Sequence, residues 1–294
     1  PTSGSTSHVK WIPYTRLFLR QLDTFISPMV YRLYRDFKGL RKGTHYWSLS
    51  WMPTELRDSI HTDMNDDLNL MPFWKRVFLA LTMAVPNQVA YAPTSQDAMF
   101  ATVGCLAADQ RLSLISVWSP TFALSMFDFM GEHRRELADV LERGHWRGRQ
   151  KALSFLNCPH SPYAANVLRR WDGNKDPSFF DQLWPNLSVI SAWNTATSKI
   201  WAAELEALFP KAVIDGKGLL ATEGAVTIPF GGSYPLAYQS HFFEFFDSTS
   251  QKIYYAWELK RGQIVQPILT TGTGLLRYRL NDEIQVVGFM GQCP

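Results

Sequence analysis

Short apolar runs of strand length alternate with helical patterns over most of this chain, and the alternation restricts its possible folds more than any other feature. The strand-like runs lie at 112–118, 187–193 and 212–222. Apolar residues at helical spacing occupy roughly 122–143, 160–171 and 195–208. Strands that alternate with helices are typical of α/β layering, so the sequence predicts an α/β fold of layered mixed sheets with helices.

From Phe242 onward the pattern changes to strands alone. The five runs are 242–246, 253–259, 263–270, 274–280 and 283–287. Five strands joined by tight turns predict a small β-barrel or curled sheet packed on the α/β part. We therefore expect an α/β region over 1–241 and a β-rich subdomain over 242–294 of the same large domain.

Composition and charge exclude several classes of protein. The 46% apolar and 19% charged residues are typical of a folded globular chain. The net charge is only +3, and no run of Lys and Arg exceeds two residues, so neither nucleic acid nor a membrane surface is an expected partner. The longest apolar stretch, 77–85, is too short to span a bilayer. Three widely separated cysteines, Cys105, Cys158 and Cys293, favour a reducing, cytoplasmic location.

The N-terminal segment Thr2–Lys10 is rich in Ser, Thr and Gly and ends in a lysine. Backbone N–H groups and short hydroxyls in such a turn can hold an anion, and a lysine adds the charge that a polyphosphate requires. The spacing differs from that of the P-loop, and a mobile tail is the alternative interpretation. A helix should follow, with Thr15 as its N-cap and Pro28 as its end.

Two later motifs strengthen the phosphate-loop interpretation. They are Ala221-Thr222-Glu223-Gly224 and Leu276-Arg277-Tyr278-Arg279-Leu280-Asn281-Asp282. With the N-terminal loop, in this order, they resemble the signatures of the adenylate-forming superfamily. The residues of the motifs are most similar to those of the auxin-responsive Gretchen Hagen family of acyl acid amido synthetases, and the resemblance covers essentially the whole chain.

The resemblance implies a site for ATP and Mg²⁺. It assigns the β- and γ-phosphates to Ser3, Gly4, Ser5 and Thr6, with Lys10 and Glu223 as catalytic groups. Glu223 would also bind the metal, Ala221 and Thr222 would contact the nucleotide, and Asp282 would accept hydrogen bonds from the ribose hydroxyls. As alternatives from the residues alone, Glu223 is a surface or capping carboxylate and Thr222 an ordinary strand residue.

The acyl substrate would contact Trp118, Thr121 and Trp193, which follow two apolar strands. Core packing explains each tryptophan nearly as well. Arg277 and Arg279 alternate with Tyr278 along a strand, so both arginines should lie on one face, either at the site or as structural ion-pair partners.

The motifs differ from the family pattern at two places. Ser7, His8 and Val9 replace the usual glycine, variable residue and proline of the loop, and Asn281 replaces the glycine before Asp282. The resemblance also implies a small C-terminal domain that carries an adenylation lysine; we expect no counterpart of that domain within these residues, so no residue here is assigned that role.

The expected function is ATP-dependent adenylation of a carboxylic acid followed by amide formation with an amino acid. The alternatives are a non-catalytic module that binds a nucleotide or acid, and an acyl-CoA ligase.

Overall fold

The computed structural model describes Pro13 and residues 15–48 and 82–294. The chain divides into two compact units. The α/β unit is Phe37–Gly216, and the β-rich unit combines Pro1–Asp36 with Lys217–Pro294.

The α/β unit contains a parallel sheet of four strands. Its strands, in spatial order, are β1 (Thr44–Trp47), β2 (Leu112–Ser116), β3 (Val189–Ala192) and β4 (Val213–Gly216). Every residue of β2 and β3 is buried, which explains why both read as continuous apolar runs rather than as alternating patterns. The parallel sheet agrees with the predicted α/β class.

Seven α-helices lie among the described residues of this unit. They are α2 (Ser95–Ala108), α3 (Pro120–Glu132), α4 (Arg134–Arg143), α5 (Gln150–Leu153), α6 (Pro162–Arg170), α7 (Pro177–Leu183) and α8 (Lys199–Leu208). Three of them begin with proline at the first helical position, after a capping side chain that accepts a backbone N–H: Ser119, Ser161 and Asp176. These local signals set where the helices start, including α3 directly after β2.

In the β-rich unit, helix α1 (Arg16–Asp36) begins where it was predicted and ends later. Thr15 is the N-cap, because its hydroxyl accepts the Phe18 N–H at 3.1 Å. The prediction that the helix stops at Pro28 is wrong, since the helix continues through this proline. Phe25 and Leu33 are buried on either side of it, and burying that face outweighs the roughly 3 kcal/mol that an internal proline costs.

Two antiparallel sheets complete the β-rich unit. The short hairpin consists of β5 (Leu220–Ala221) and β6 (Gly224–Ala225). The larger sheet runs β10–β9–β7–β8, with β11 also paired to β9. Its strands are β7 (Phe242–Asp247), β8 (Lys252–Tyr255), β9 (Ile264–Thr270), β10 (Tyr278–Arg279) and β11 (Ile284–Gln285). Each of the five predicted runs contains a strand, although the runs at 253–259 and 274–280 are only partly extended. Closure into a barrel stays a prediction.

Residues 217–241 belong to the β-rich unit, whereas the predicted regions divide the chain at 241/242. The reason is burial: Leu219, Val226 and Leu236 pack in one apolar cluster with Phe243 and Phe245 of β7. Within the described residues, no helix is both long enough and apolar enough to cross a membrane.

Candidate functional site

Thr222 and Glu223 form the two-residue turn of the β5–β6 hairpin. Ala221 pairs with Gly224 across the hairpin, so the turn projects from the end of both strands. The Thr222 hydroxyl donates to Glu223 Oε2 at 2.9 Å, which orients the carboxylate and leaves its second oxygen available to a ligand. Thr222 is exposed and Glu223 half-buried, so both can be reached from solvent.

Two apolar clusters hold this hairpin in place. On one side, Leu220 and Ala225 pack against Phe25 and Met29 of α1. On the other, Ala221 packs in the cluster that includes Phe243 and Phe245. A hairpin of two residues per strand is too short to be stable alone, so these contacts keep the Glu223 turn in one position.

Asp282 lies in the connection between β10 and β11, and its side chain is exposed. Leu280 before it and Ile284 after it pack in the same apolar cluster as Ala221 and Val226. The segments that carry Glu223 and Asp282 are therefore anchored to one core of the β-rich unit. Asn281 does not have positive φ, whereas Arg277 (φ 50°) and Gly274 (φ 92°) do, so the sharp turns precede the position where the family's glycine stands.

The two arginines of the third motif lie on one face of the sheet, as the sequence predicts. The Arg277 guanidinium donates two hydrogen bonds of 2.9 Å to the carboxylate of Glu244 on β7. The Arg279 guanidinium lies 4.8 Å from the ring centre of Phe246, two residues along the same strand. Arg277 is therefore an ion-pair partner, which was one of the two interpretations left open, although the strand starts only at Tyr278.

His241 was not singled out from the sequence and lies against the Glu223 hairpin. Its Nε2 accepts the N–H of Ala225 at 3.2 Å, and its Nδ1 is 3.3 Å from Gln21 Oε1 on α1. Burial lowers the pKa of His241 to about 4, so the ring is neutral at pH 7. A lone histidine before a strand has no distinguishing sequence pattern, so this contact could be found only from the fold.

In the α/β unit, Trp118 and Trp193 stand together at the carboxyl ends of β2 and β3. The Trp193 N–H donates to the Trp118 carbonyl at 2.9 Å, and the ring centres are 5.9 Å apart. Trp118 is 43% exposed, so it is not a core residue. Ligands of open α/β sheets gather at these strand ends, which fits a binding surface for a flat or apolar group.

Thr121 is exposed at the start of α3, and its hydroxyl shares a 2.6 Å hydrogen bond with the Ser119 hydroxyl. The next residue, Phe122, lines a crevice of about 160 Å³ together with Tyr46, Val89 and Met99. This volume is below that of drug-sized pockets. As lined by the described residues, the crevice accommodates only a small apolar group.

Five predicted phosphate-binding residues lie outside the described residues: Ser3, Gly4, Ser5, Thr6 and Lys10. Their roles stay predictions.

Glu223 is a single carboxylate, so it suits Mg²⁺ that is bound together with a nucleotide better than a metal ion held by protein side chains alone. Among residues 13, 15–48 and 82–294, no three His, Cys, Asp or Glu side chains are grouped to hold a metal ion. Mg²⁺ bound with a nucleotide needs only one or two protein carboxylates, because phosphate oxygens and water complete its coordination. A half-buried carboxylate with one oxygen oriented by Thr222 provides such a ligand.

A parallel sheet covered by helices and a β-rich unit that carries a Thr-Glu turn place the chain in the α/β class. Comparison with known proteins specifies it further. Residues 1–214 match the GH3 family N-terminal domain and residues 234–294 match the GH3 family central domain. The chain therefore belongs to the GH3 family, as its motifs indicated.

Individual relatives are distant. The chain is similar to the probable indole-3-acetic acid-amido synthetase GH3.11 of Oryza sativa subsp. japonica, with 24% identity over 71% of this chain and 40% of that protein. It is also similar to the indole-3-acetic acid-amido synthetase GH3.15 of Arabidopsis thaliana, with 22% identity over 100% of this chain and 54% of that protein. The chain thus spans about half the length of the curated relatives it matches.

A solved structure confirms the α/β fold class. The chain is similar to AtGH3.15 acyl acid amido synthetase in complex with 2,4-DB, with a TM-score of 0.79 and 19% identity. That match covers 99% of this chain and 54% of the solved one. At this identity, the likeness establishes the fold alone.

Proposed function

We propose that this chain carries the ATP- and acid-binding part of an acyl acid amido synthetase. The observation that supports this most is that both GH3 family domains match, while the Thr222–Glu223 turn and Asp282 are anchored to one core. The named relatives are amido synthetases, and one solved relative is described in complex with 2,4-DB.

In the proposed reaction, a carboxylate oxygen of the acid attacks the α-phosphorus of ATP, and the bond to pyrophosphate breaks. The amine of an amino acid then attacks the acyl carbon, loses a proton and displaces AMP, which leaves an amide. No protein side chain forms a covalent bond, so the protein contributes positioning and charge stabilisation.

The nucleotide would be held by residues of the three sequence motifs. Ser3, Gly4, Ser5 and Thr6 would donate to the β- and γ-phosphates, and Lys10 would add positive charge. The Asp282 carboxylate would accept from the ribose hydroxyls, and Ala221 and Thr222 would contact the nucleotide. Glu223 would hold Mg²⁺, which neutralises phosphate charge when it is bound.

The acid would contact the tryptophan pair of the α/β unit. Trp118 offers an exposed aromatic face beside Trp193, and Thr121 offers a hydroxyl near Ser119. Aromatic faces favour planar or apolar acids, so we propose an acid of that type as substrate. The three cysteines are free thiols, which fits a reducing compartment such as the cytoplasm.

Acid-dependent exchange of labelled pyrophosphate into ATP tests the first half of the reaction. We expect exchange with a planar aromatic or aryl-alkyl acid and none without acid. The Glu223→Ala variant should lose it, whereas Glu206→Ala, which removes an exposed carboxylate from α8, should retain it. Equal exchange in Glu223→Ala and wild type would contradict the assignment.

Calorimetry with AMP and ATP separates the enzyme from a binding module. Asp282→Ala should weaken AMP binding about tenfold or more, because a hydrogen-bonded charged acceptor is lost. Nucleotide binding without acid-dependent exchange would favour the non-catalytic module, for which the altered loop residues Ser7, His8 and Val9 provide a reason. Acid-dependent exchange followed by transfer to coenzyme A, but not to amino acids, would favour the acyl-CoA ligase.

A further inference from the structure

His241 lies directly before β7, and its side chain is 7% exposed. The Phe18 ring of α1 stacks on it with centres 5.8 Å apart and planes 16° from parallel. The imidazole therefore fills the space between α1 and the β5–β6 hairpin, all within the β-rich unit.

Both ring nitrogens are used, and their partners determine the tautomer. Nε2 lies 3.2 Å from the Ala225 N–H, which can only donate, so Nε2 is the unprotonated acceptor. Nδ1 then carries the proton and donates to Gln21 Oε1 at 3.3 Å. The same Gln21 oxygen accepts the Gly272 N–H at 2.7 Å, which extends the network to the loop after β9.

Gly224 allows this close approach. A Cβ at Gly224 would lie 2.7 Å from His241 Nε2 and 2.9 Å from Cδ2, which is closer than real contacts of that kind. The ring thus packs on the backbone of the residue that directly follows Glu223. Glycine is needed there for space, since Gly224 is not among the glycines with positive φ.

We infer that His241 is a positioning residue for Glu223, which it holds in place through the Gly224–Ala225 backbone. The inference rests on the proposed function, because it assumes that Glu223 binds the Mg²⁺ of Mg-ATP. Glu223 sits on a two-residue turn whose strands are also only two residues long, so the strand pairing provides little rigidity. The imidazole supplies an acceptor and a flat surface for the strand that leaves this turn.

An apolar side chain would not replace the ring. The Ala225 N–H is buried, and without an acceptor it would have to find water or move, and the turn would move with it. Partners one step removed from a metal ligand typically change metal affinity by 10- to 100-fold when they are mutated. We expect an effect near the lower end, since His241 acts through backbone rather than on the carboxylate itself.

Two isosteric substitutions separate the contacts. Asparagine places its polar group near the position of Nδ1, so His241→Asn retains the contact to Gln21 and loses the acceptor for Ala225. Glutamine reaches to the position of Nε2, so His241→Gln retains that acceptor. We expect His241→Asn to weaken Mg²⁺-dependent ATP binding about tenfold, and His241→Gln to remain within about threefold of wild type.

Gly224→Ala is an independent test, because its Cβ would displace the ring without removing any hydrogen-bonding atom. It should reproduce the His241→Asn effect. Gly148→Ala is the matched control, since a Cβ at Gly148 meets nothing within 4 Å.

The measurement is the Kd of ATP with and without Mg²⁺, together with the Kd of AMP without metal, for wild type, Glu223→Ala and these variants. A purely structural role for His241 would weaken AMP and ATP alike, whereas the positioning role weakens only the Mg²⁺-dependent part. If Glu223→Ala abolishes the Mg²⁺ dependence and His241→Asn leaves it intact, the inference about His241 is wrong and the proposed function stands.

If Glu223→Ala changes nothing, or wild type shows no Mg²⁺ dependence, the metal assignment fails and the inference fails with it. A second readout does not depend on the metal: the imidazole ¹⁵N shifts should show a neutral ring protonated at Nδ1 at pH 6. An Nε2-protonated or charged ring at that pH would also overturn the inference.

Discussion

Acidification should destabilise this protein through His241, and the size of the effect follows from its burial. The pKa of His241 is lowered to about 4, against 6.5 for an unperturbed histidine. Between these values the unfolded chain binds a proton that the folded chain does not, so stability is complete above pH 6.5 and is lost as the pH falls toward 4. From pH 7 to pH 5 the loss attributable to His241 alone is about 2 kcal/mol.

The His241→Gln variant isolates this contribution, because glutamine retains the acceptor for Ala225 and does not titrate. Other shifted groups, including the buried His45 whose pKa burial also lowers, are common to both proteins and cancel in the difference. Urea unfolding followed by circular dichroism at pH 7, 6 and 5 gives the difference in free energy of unfolding. A difference that changes by less than about 0.5 kcal/mol over this range would mean that the ring is solvated or already charged, and would refute the reasoning.

Two further predictions concern Glu244, the partner of Arg277, and Trp118, the proposed contact of the acid. Replacing Glu244 with glutamine should lower the free energy of unfolding by about 1–3 kcal/mol, because Arg277 loses a charged bidentate partner that is largely buried; a loss below 0.5 kcal/mol in urea unfolding would contradict this. Trp118→Ala should raise the KM for the acid severalfold, yet it should lower the free energy of unfolding by less than about 1 kcal/mol, because Trp118 is 43% exposed. The control variant Trp184→Ala should lower it by about 3–5 kcal/mol, because Trp184 is only 2% exposed. Equal losses of stability in the two tryptophan variants would place Trp118 in the core.

Elements with strong local signals could be predicted from the sequence. Helix α1 begins after Thr15 as its cap predicts, with the Thr15 hydroxyl accepting the Phe18 N–H at 3.1 Å. The apolar run around 112–118 is indeed the buried strand β2. Local chemistry determines these starts and strands, so no knowledge of the rest of the fold is needed.

Tertiary contacts decided the features that local patterns did not reveal. Pro28 is a strong stop signal, yet the apolar face of α1 extends through it and is buried. Arg277 takes a left-handed backbone conformation, so the strand predicted to start at 274 begins at Tyr278. Its bidentate contact with Glu244 and its N–H donation to the Thr270 hydroxyl at 3.0 Å compensate for that strain.

In the candidate site, too, some residues could be predicted from local sequence and others only from tertiary contacts. The motifs indicated Thr222, Glu223 and Asp282, and the fold adds that the first two form a hairpin turn. His241 and Gln21 are 220 positions apart, so only the folded chain brings them together. A contact at such separation leaves no periodicity or spacing in the sequence by which it could be found.

Glu223 and Asp282 should contact one and the same bound nucleotide. A crystal structure of this chain with Mg²⁺ and a non-hydrolysable ATP analogue tests it most directly. We predict a metal about 2.1 Å from a Glu223 carboxylate oxygen and ribose hydroxyls roughly 2.5–3.0 Å from the Asp282 carboxylate. A nucleotide bound elsewhere, with neither carboxylate in contact, would contradict the account.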